Sequence, residues 1–338
     1  MEGTGSESAA GEKVSWMKME SMDVVILGRI GYDLYSEEPN VPLPQVRRFS
    51  RYLGGSSANM AVGLSRQGVR VGMVSCLGDD SLSRFLIDFL QAEKVETDHI
   101  QTASGYLPSL CLTEVTPPDW FPQVFYRHDA VDTMLDVMEE DLEFASSARM
   151  FVTNGTSLCA SPSRESAYRA LERAHRAGCR VVLDVDFRSM SWRSSEEAGL
   201  AVRLALPFVD VLIGNQLELK LVAGVDDLEQ ATAKLRGMGV PILVSKLGEL
   251  GTRVITADET AFLPPYKVDV ATTIGAGDGF ASGFLCAMLR GLPLLECLHY
   301  GNAAAAIVVS RLSCSEAMPT MAEVEGMMHQ QREKQVCA

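Results

Sequence analysis

The sequence lacks an apolar run long enough to cross a bilayer, and it lacks an excess of positive charge. Its 338 residues contain 30 Lys and Arg against 44 Asp and Glu, for a formal net charge of -14. Nucleic acids and anionic membrane surfaces attract basic patches, so this acidic balance argues against both kinds of partner. A small anionic ligand stays compatible with it, because local Arg, Lys and amide groups can offset the overall field.

Paired cysteines are also missing. The eight cysteines are scattered, mostly in apolar surroundings, with no C-x-x-C pair and no Cys/His cluster. Such cysteines are typical of reduced thiols in a core, not of disulfides or zinc ligands. Residues 1–21 are polar and rich in Gly and Ser, without the basic and apolar regions of a signal peptide. We therefore expect a disordered leader and a cytoplasmic protein.

Three well-known catalytic signatures are absent. No G-x-x-x-x-G-K-S/T occurs, which excludes a P-loop enzyme, and no H-R-D with D-F-G occurs, which excludes a protein kinase. No G-x-G-x-x-G follows the first apolar run, so a nicotinamide dehydrogenase is a weak alternative.

The sequence does have short β-branched runs that alternate with helical patterns. This alternation predicts an α/β fold around a mainly parallel sheet. The predicted core strands are 24–27, 69–76, 149–154, 180–184, 210–214 and 240–245. Residues 35–52 and 105–127 contain prolines and β-type residues without a helical period, which predicts a separate small sheet.

The stretch from Thr272 to Phe280 reads T-T-I-G-A-G-D-G-F. It predicts the end of a strand and the start of a helix that runs from Phe280 to Leu289. Gly275 and Gly277 would leave the amides at the helix start free to face an anion. Asp278 is costly beside a bound phosphate unless its charge is needed there, as in a general base for an attacking hydroxyl. Alternatively, the glycines make a tight turn and Asp278 caps the helix.

Gly275-Ala276-Gly277-Asp278 resembles the catalytic motif of the ribokinase-like (phosphofructokinase-B type) carbohydrate kinases. The resemblance implies that Asp278 is the base and that the amides at this turn hold the charge of the transferred phosphoryl group. The family usually has Asp-Thr just upstream, where this chain has Thr272-Thr273.

A second motif lies near the N-terminus. Gly54 and Gly55, with Asn59 four residues after the second glycine, resemble the family's substrate-binding motif. The resemblance also implies that Asp33, in the loop beyond the first strand, binds sugar hydroxyls. Without the resemblance, ordinary turn and helix-capping chemistry would explain these residues.

Two arginines are candidate ligands for an acidic substrate. Arg127 could clamp a carboxylate with two parallel hydrogen bonds, as a Tyr-Arg pair does in the family's sugar-acid kinases. An ion pair with Asp129 or Asp132 would explain it equally well. Arg188 could reach a carboxylate or a phosphoryl oxygen, or it could pair with Asp184 or Asp186.

The nucleotide side is predicted from the second half of the chain. Asn215 and Glu218 fit a capping box, and the resemblance implies that they also order Mg²⁺ through water. Lys246, Gly248 and Gly251 resemble the nucleotide loop. Asn302 would lie near adenine, or it could be a hydrogen-bonded core amide.

The resemblance covers residues 22–320 and implies a three-layer α/β/α sandwich with a mainly parallel central sheet and a small β lid. Residues 321–338 would form a polar helix or tail. ATP and Mg²⁺ are the implied ligands, a monovalent cation such as K⁺ is left open, and a homodimer would form through the lid.

The resemblance implies that the reaction is phosphorylation of the primary hydroxyl of a keto-deoxy sugar acid. The first candidate is 5-dehydro-2-deoxygluconate, followed by 2-keto-3-deoxygluconate and then by fructose or ribose. The alternative outside the kinases is an inactive sugar sensor.

Overall fold

The structure is a computed structural model that describes residues 22–117 and 120–336. The predicted leader and Cys337 lie outside the described residues. The strands are β1 (Val24–Leu27), β2 (Gly31–Ser36), β3 (Phe49–Gly54), β4 (Val71–Leu77), β5 (Ile100–Thr102), β6 (Ser109–Thr113), β7 (Gln123–Tyr126), β8 (Met150–Asn154), β9 (Arg180–Asp184), β10 (Val211–Asn215), β11 (Ile242–Lys246), β12 (Thr252–Ile255) and β13 (Thr260–Leu263).

Ten α-helices of the described residues connect and cover these strands. They are α1 (Ser56–Arg66), α2 (Ser81–Ala92), α3 (Glu139–Ser147), α4 (Ser163–Arg176), α5 (Ser195–Ala205), α6 (Gln216–Ala223), α7 (Leu228–Gly237), α8 (Ala276–Leu289), α9 (Leu294–Val309) and α10 (Met321–Val336). None of these helices is both long and apolar enough to cross a membrane.

The large sheet has nine strands in the order β13-β12-β11-β10-β9-β8-β1-β4-β5. Every neighbouring pair from β11 to β5 is parallel, whereas β12 and β13 form an antiparallel edge. All residues of β1 and β4 are buried, so helices cover both faces of the sheet. The predicted three-layer α/β/α sandwich is confirmed.

The second sheet has four strands in the order β3-β2-β6-β7. The sequence predicted a small sheet, but with strands from about residue 35. The strand β2 already begins at Gly31, because Gly31 to Ser36 pair in register with β3 and Gly31 to Tyr35 with β6. Asp33 therefore lies within a strand of the small sheet, not in the predicted loop.

The segment before the central turn also differs from the prediction. Residues 264–273 form no strand, and Pro264 and Pro265 at its start lack the N–H groups that a ladder needs. The helix α8 starts at Ala276, four residues before the expected Phe280, so Asp278 lies in its first turn.

Helices α1 and α8 pack at close range. A Cβ on Gly63 of α1 would lie 2.6 Å from the Ser282 hydroxyl oxygen of α8. Gly63 therefore permits the close approach of the two helices, which brings the N-terminal turn of α1 beside that of α8.

Candidate active site

Polar side chains gather where the parallel strands end. Asp184, Asn215 and Lys246 are the last residues of β9, β10 and β11, and Asn215 is in register with Lys246. The carboxyl ends of parallel strands share one edge of the sheet, where open α/β folds bind ligands. This edge is the candidate active site.

Asp278 is held by two side chains of α1. Its Oδ1 accepts a hydrogen bond from Ser56 Oγ at 2.8 Å, and its Oδ2 accepts one from Asn59 Nδ2 at 2.7 Å. The N-cap of α8 is Gly275, and no side chain caps the helix. The alternative of Asp278 as a helix cap is therefore wrong, because both of its oxygens are turned to α1.

The surroundings of Asp278 favour a protonatable carboxyl group. Burial, with the charge of Asp186, raises the pKa of Asp278, while hydrogen bonds from Asn59 and Ser56 and the charge of Arg188 oppose the rise. A carboxylate with a raised pKa is a stronger base than a solvated one.

The start of α8 is a glycine turn of the kind that binds anions in other proteins. Gly275 has φ of 81°, in the left-handed region, and the helix's first bond runs from the Gly279 N–H to the Gly275 carbonyl. The preceding amides of Ala276, Gly277 and Asp278 are thus the free donors of the helix start. A Cβ on Gly277 would lie 3.3 Å from Lys246 Nζ, so this cation is beside the same turn. Upstream, the Thr272 hydroxyl accepts the Ile274 N–H at 3.1 Å.

Lys246 forms an ion pair with Asp184, with Nζ 3.0 Å from Oδ2. Asp184 is almost fully buried, and burial raises its pKa while the charge of Lys246 lowers it. The charges of Glu218 and Asp186 add to the rise. Several acidic groups therefore meet beside the anion-binding turn.

Asn215 and Glu218 form the predicted reciprocal capping box. Glu218 Oε2 accepts the Asn215 N–H at 2.7 Å, and Asn215 Oδ1 accepts the Glu218 N–H at 2.9 Å. Glu218 Oε1 also accepts the Phe187 N–H at 3.0 Å. No cluster of three or more metal-ligating side chains occurs among the residues that the structure describes. Mg²⁺ fits here only with water and phosphate oxygens as most of its ligands, as its chemistry prefers.

The residues predicted to bind the sugar lie on β2 and at the start of α1. Asp33 is 6% exposed, and its Oδ1 has no hydrogen-bond partner among the described residues. Burial raises the pKa of Asp33 to about 6, with Arg29 lowering it and Asp278 raising it. A Cβ on Gly54 would lie 2.2 Å from the Asp33 carboxyl group, and Gly55 has φ of 94°. Both glycines of the motif are thus required by the local geometry.

Arg127 is a buried partner of Asp132. Its Nε and Nη2 lie 3.1 and 2.6 Å from Asp132 Oδ2. Its other N–H groups donate to the Thr156 carbonyl at 2.9 Å, Ser191 Oγ at 2.9 Å and Cys159 Sγ at 3.3 Å. All five donors are occupied, so a substrate carboxylate would have to displace one of these partners. The role of Arg127 as a carboxylate clamp stays a prediction.

The side chain of Arg188 is more exposed to solvent than that of Arg127. Its Nη2 lies 3.1 Å from Asp186 Oδ1, as one of the sequence alternatives predicted, and its side chain is 45% exposed. The charge of Asp186, followed by those of Asp278, Glu218 and Asp184, raises the pKa of Arg188 against the effect of burial. The Arg188 guanidinium therefore lies among several acidic side chains, and its exposed part is open to an anionic ligand.

The remaining predicted nucleotide residues lie on the antiparallel side of the sheet. Gly248 and Gly251 have φ of 61° and 112° in the loop between β11 and β12. Asn302 is buried, accepts from Thr252 Oγ1 at 2.9 Å and donates to the Pro264 carbonyl at 3.0 Å. Its contacts are those of the hydrogen-bonded core amide, and its place near adenine stays a prediction.

Three residues of the site were not predicted individually. Ser56 lies inside the Gly54-Gly55 motif, and Asp186 lies two residues after the end of β9, with φ of 35°. Arg29 directly follows Gly28 after β1 and is buried beside Asp33. Asp186 was predicted only as a possible partner of Arg188, and the only sequence signal for Arg29 was its position just beyond a strand.

These elements define a class of enzyme. A carboxylate held by neutral donors lies beside an anion-binding helix start, a lysine and several acidic groups. These groups are the ones that an enzyme needs to transfer a phosphoryl group to a hydroxyl.

The chain belongs to the pfkB family of carbohydrate kinases. The model of the pfkB family carbohydrate kinase matches residues 21–321. The protein is thus a sugar kinase, and the predicted family is confirmed.

Named relatives and a solved structure agree with this assignment. The 5-dehydro-2-deoxygluconokinase of Geobacillus kaustophilus is 34% identical over 93% of this chain and 96% of its own. That of Shouchella clausii is 35% identical over 94% of this chain and 99% of its own. An Escherichia coli protein assigned as a ribokinase II, solved with ATP and Mg²⁺, superposes with a TM-score of 0.84 at 22% identity, over 91% of this chain and 99% of its own. That last likeness shows the fold alone.

Proposed function

We propose that the protein uses ATP to phosphorylate the primary hydroxyl of 5-dehydro-2-deoxygluconate, giving the 6-phosphate in myo-inositol catabolism. The observation that carries the phosphoryl transfer is the Asp278 carboxylate, held by Ser56 and Asn59 beside the free amides of α8. The choice of sugar is supported by the names of relatives that are 34 and 35% identical to this chain.

The chain's own residues can position the sugar hydroxyl and the phosphoryl group for the reaction. Asp278 accepts the proton of the primary hydroxyl. The hydroxyl oxygen forms a bond to the γ-phosphorus, and the bond between the γ-phosphorus and the leaving ADP breaks. The amides of Ala276, Gly277 and Asp278, with Lys246 beside them, hold the charge that develops on the phosphoryl oxygens. Asp33 accepts hydrogen bonds from sugar hydroxyls, and Gly54 and Gly55 let the sugar approach the backbone.

The acidic groups near Lys246 fit a hydrated Mg²⁺. Glu218 would order its water ligands, and bound Mg²⁺ would neutralise charge on the phosphates. Gly248 and Gly251 would line the nucleotide, with Asn302 on its adenine side. K⁺ and a homodimer through the small sheet stay predictions from the family resemblance. We place the reaction in the cytoplasm, where the seven free cysteines of the described residues would stay reduced.

The test is ATP-dependent release of ADP with Mg²⁺ and each of four substrates, namely 5-dehydro-2-deoxygluconate, 2-keto-3-deoxygluconate, fructose and ribose. We expect turnover with the first acid at a kcat/KM well above the others. Preference for 2-keto-3-deoxygluconate would change the proposed substrate but would still indicate a kinase of sugar acids. Sugar binding without ADP release would contradict the kinase and indicate a sensor.

A further inference from the structure

Arg29 is a largely buried cation whose charge acts on Asp33 but which forms no ion pair with it. It lies between β1 and β2 and is 7% exposed. Its Nη1 donates to Ser109 Oγ at 2.9 Å, and its guanidinium carbon lies 5.8 Å from the centre of the Phe125 ring. Within residues 22–117 and 120–336, Arg29 forms no ion pair, and its Nε and Nη2 groups have no hydrogen-bond partner.

The other two arginines near the sugar side are different. Arg127 is paired with Asp132, and Arg188 is paired with Asp186. A buried charge is costly unless it is paired, and a guanidinium cannot lose its proton to escape that cost. An anion that arrives with the substrate would remove the cost, since Nε and Nη2 form the edge that takes a carboxylate with two parallel hydrogen bonds.

The position of Arg29 is next to the sugar-binding carboxylate. Its charge acts on Asp33, where it opposes the rise in pKa that burial causes. The two side chains are nevertheless not in ion-pair contact, so each keeps polar atoms for a ligand. A Cβ on Gly31 would lie 2.4 Å from Arg29 Nη1, so the glycine leaves room for the guanidinium.

We propose that Arg29 binds the carboxylate of the sugar acid and thereby selects acids over neutral sugars. Asp33 takes the hydroxyls of the same molecule. Arg127, whose donors are all occupied, has a structural role through its ion pair with Asp132. This inference rests on the proposed function, because it needs an acidic substrate.

The test compares Arg29→Met and Arg29→Lys with the wild type. For 5-dehydro-2-deoxygluconate we expect KM to rise at least about 30-fold in Arg29→Met, because one partner of a buried charge pair is lost. Arg29→Lys keeps the charge but cannot form two parallel hydrogen bonds, so its KM for the acid should lie between those of the wild type and Arg29→Met. KM for ATP should stay within about twofold, because Arg29 is on the sugar side. Arg51→Met is the matched control, since Arg51 of the small sheet stacks on Phe85 at 4.2 Å and is exposed.

The outcomes separate this inference from the proposed function. In one outcome, the wild type prefers the acid while folded Arg29 variants keep a KM for the acid within about threefold of the wild-type value. That result would overturn only the role of Arg29. A wild type that prefers fructose or ribose would overturn both. Thermal melting identifies a variant that fails to fold, and if Arg29→Met does so, the KM of Arg29→Lys decides.

Discussion

At the scale of single residues, the structure gives Asp278 two fixed donors and a raised pKa. Ser56 and Asn59 each occupy one oxygen, so the carboxylate has a defined orientation. These donors favour the ionised form, while burial and Asp186 disfavour it. The balance suits a group that must accept a proton during turnover and release it afterwards.

Asp278→Asn should lower kcat by about 10²–10⁴-fold, because the amide cannot accept the proton of the attacking hydroxyl. KM for the sugar and the melting temperature should change little, since the amide keeps the shape of the side chain. Steady-state kinetics and thermal melting measure both. Asp269→Asn, at an exposed carboxyl outside the site, is the control. A loss of less than about tenfold would contradict the assignment of Asp278 as the base.

The pH profile should show an acid limb. Burial raises the pKa of Asp278 above 3.8 and that of Asp33 to about 6, and both groups act as acceptors when ionised. Lowering the pH through these values protonates them, so kcat/KM should fall below about pH 6. Ser56→Ala removes a hydrogen bond that lowers the pKa of Asp278, so the Asp278 part of the limb should move to higher pH. A flat profile down to pH 5 would argue against the role of Asp33, whose pKa is raised to about 6.

At the scale of elements, strand β2 connects the small sheet to the catalytic turn. It carries Asp33, and two residues later Tyr35, whose hydroxyl lies 2.9 Å from Cys314 Sγ. The backbone of Cys314 in turn packs against Gly275. Strand β2 and the turn before α8 are thus in contact through the buried residues Tyr35 and Cys314.

Substitutions at the two glycines of the turn should have different effects. Gly275→Ala places a Cβ at φ of 81° and 3.2 Å from the Cys314 backbone. It should cost about 1–2 kcal/mol of stability and lower kcat, because the turn must deform. Gly277→Ala is the matched control, since its Cβ meets only the end of the long Lys246 side chain and no backbone atom. It should keep the stability and raise KM for ATP, and equal melting temperatures in the two variants would contradict this distinction.

The sequence predicted the elements whose signals are local. The capping box of Asn215 and Glu218 and the glycine turn before Asp278 depend on neighbours in the chain, and both are present. The ion pair of Arg127 with Asp132 was one of the predicted alternatives, because the two residues are close in the chain. The contacts of Arg127 with Thr156 and Ser191 could not be predicted, because these residues come from separate segments. Asp33 was placed in a loop because pairing with β3 and β6 is a tertiary effect.

At the scale of the whole molecule, Arg127 joins the small sheet to the main domain. It follows β7 directly, and its guanidinium contacts the Thr156 carbonyl beyond β8 and Ser191 beyond β9. Its side chain and that of Asp132 are 7 and 3% exposed, so the pair is desolvated. Such a pair fixes the two parts of the site relative to each other.

Arg127→Met should destabilise the protein by about 3–5 kcal/mol, because Asp132 would be left buried without its cation. The double variant Arg127→Met with Asp132→Leu removes both charges and should recover much of that loss. Urea unfolding of the two variants and the wild type measures the difference. A single variant as stable as the wild type would show that the pair is not structural and would favour Arg127 as a substrate ligand.

The most direct measurement of the central claim is a competition for limiting ATP. The wild type would receive equal concentrations of 5-dehydro-2-deoxygluconate, 2-keto-3-deoxygluconate, fructose and ribose with Mg²⁺, and the phosphorylated products would be identified by mass spectrometry and ³¹P NMR. The product ratio equals the ratio of kcat/KM values. We predict that 5-dehydro-2-deoxygluconate 6-phosphate dominates the mixture. Predominance of a neutral sugar phosphate, or the absence of any sugar phosphate, would contradict the assignment.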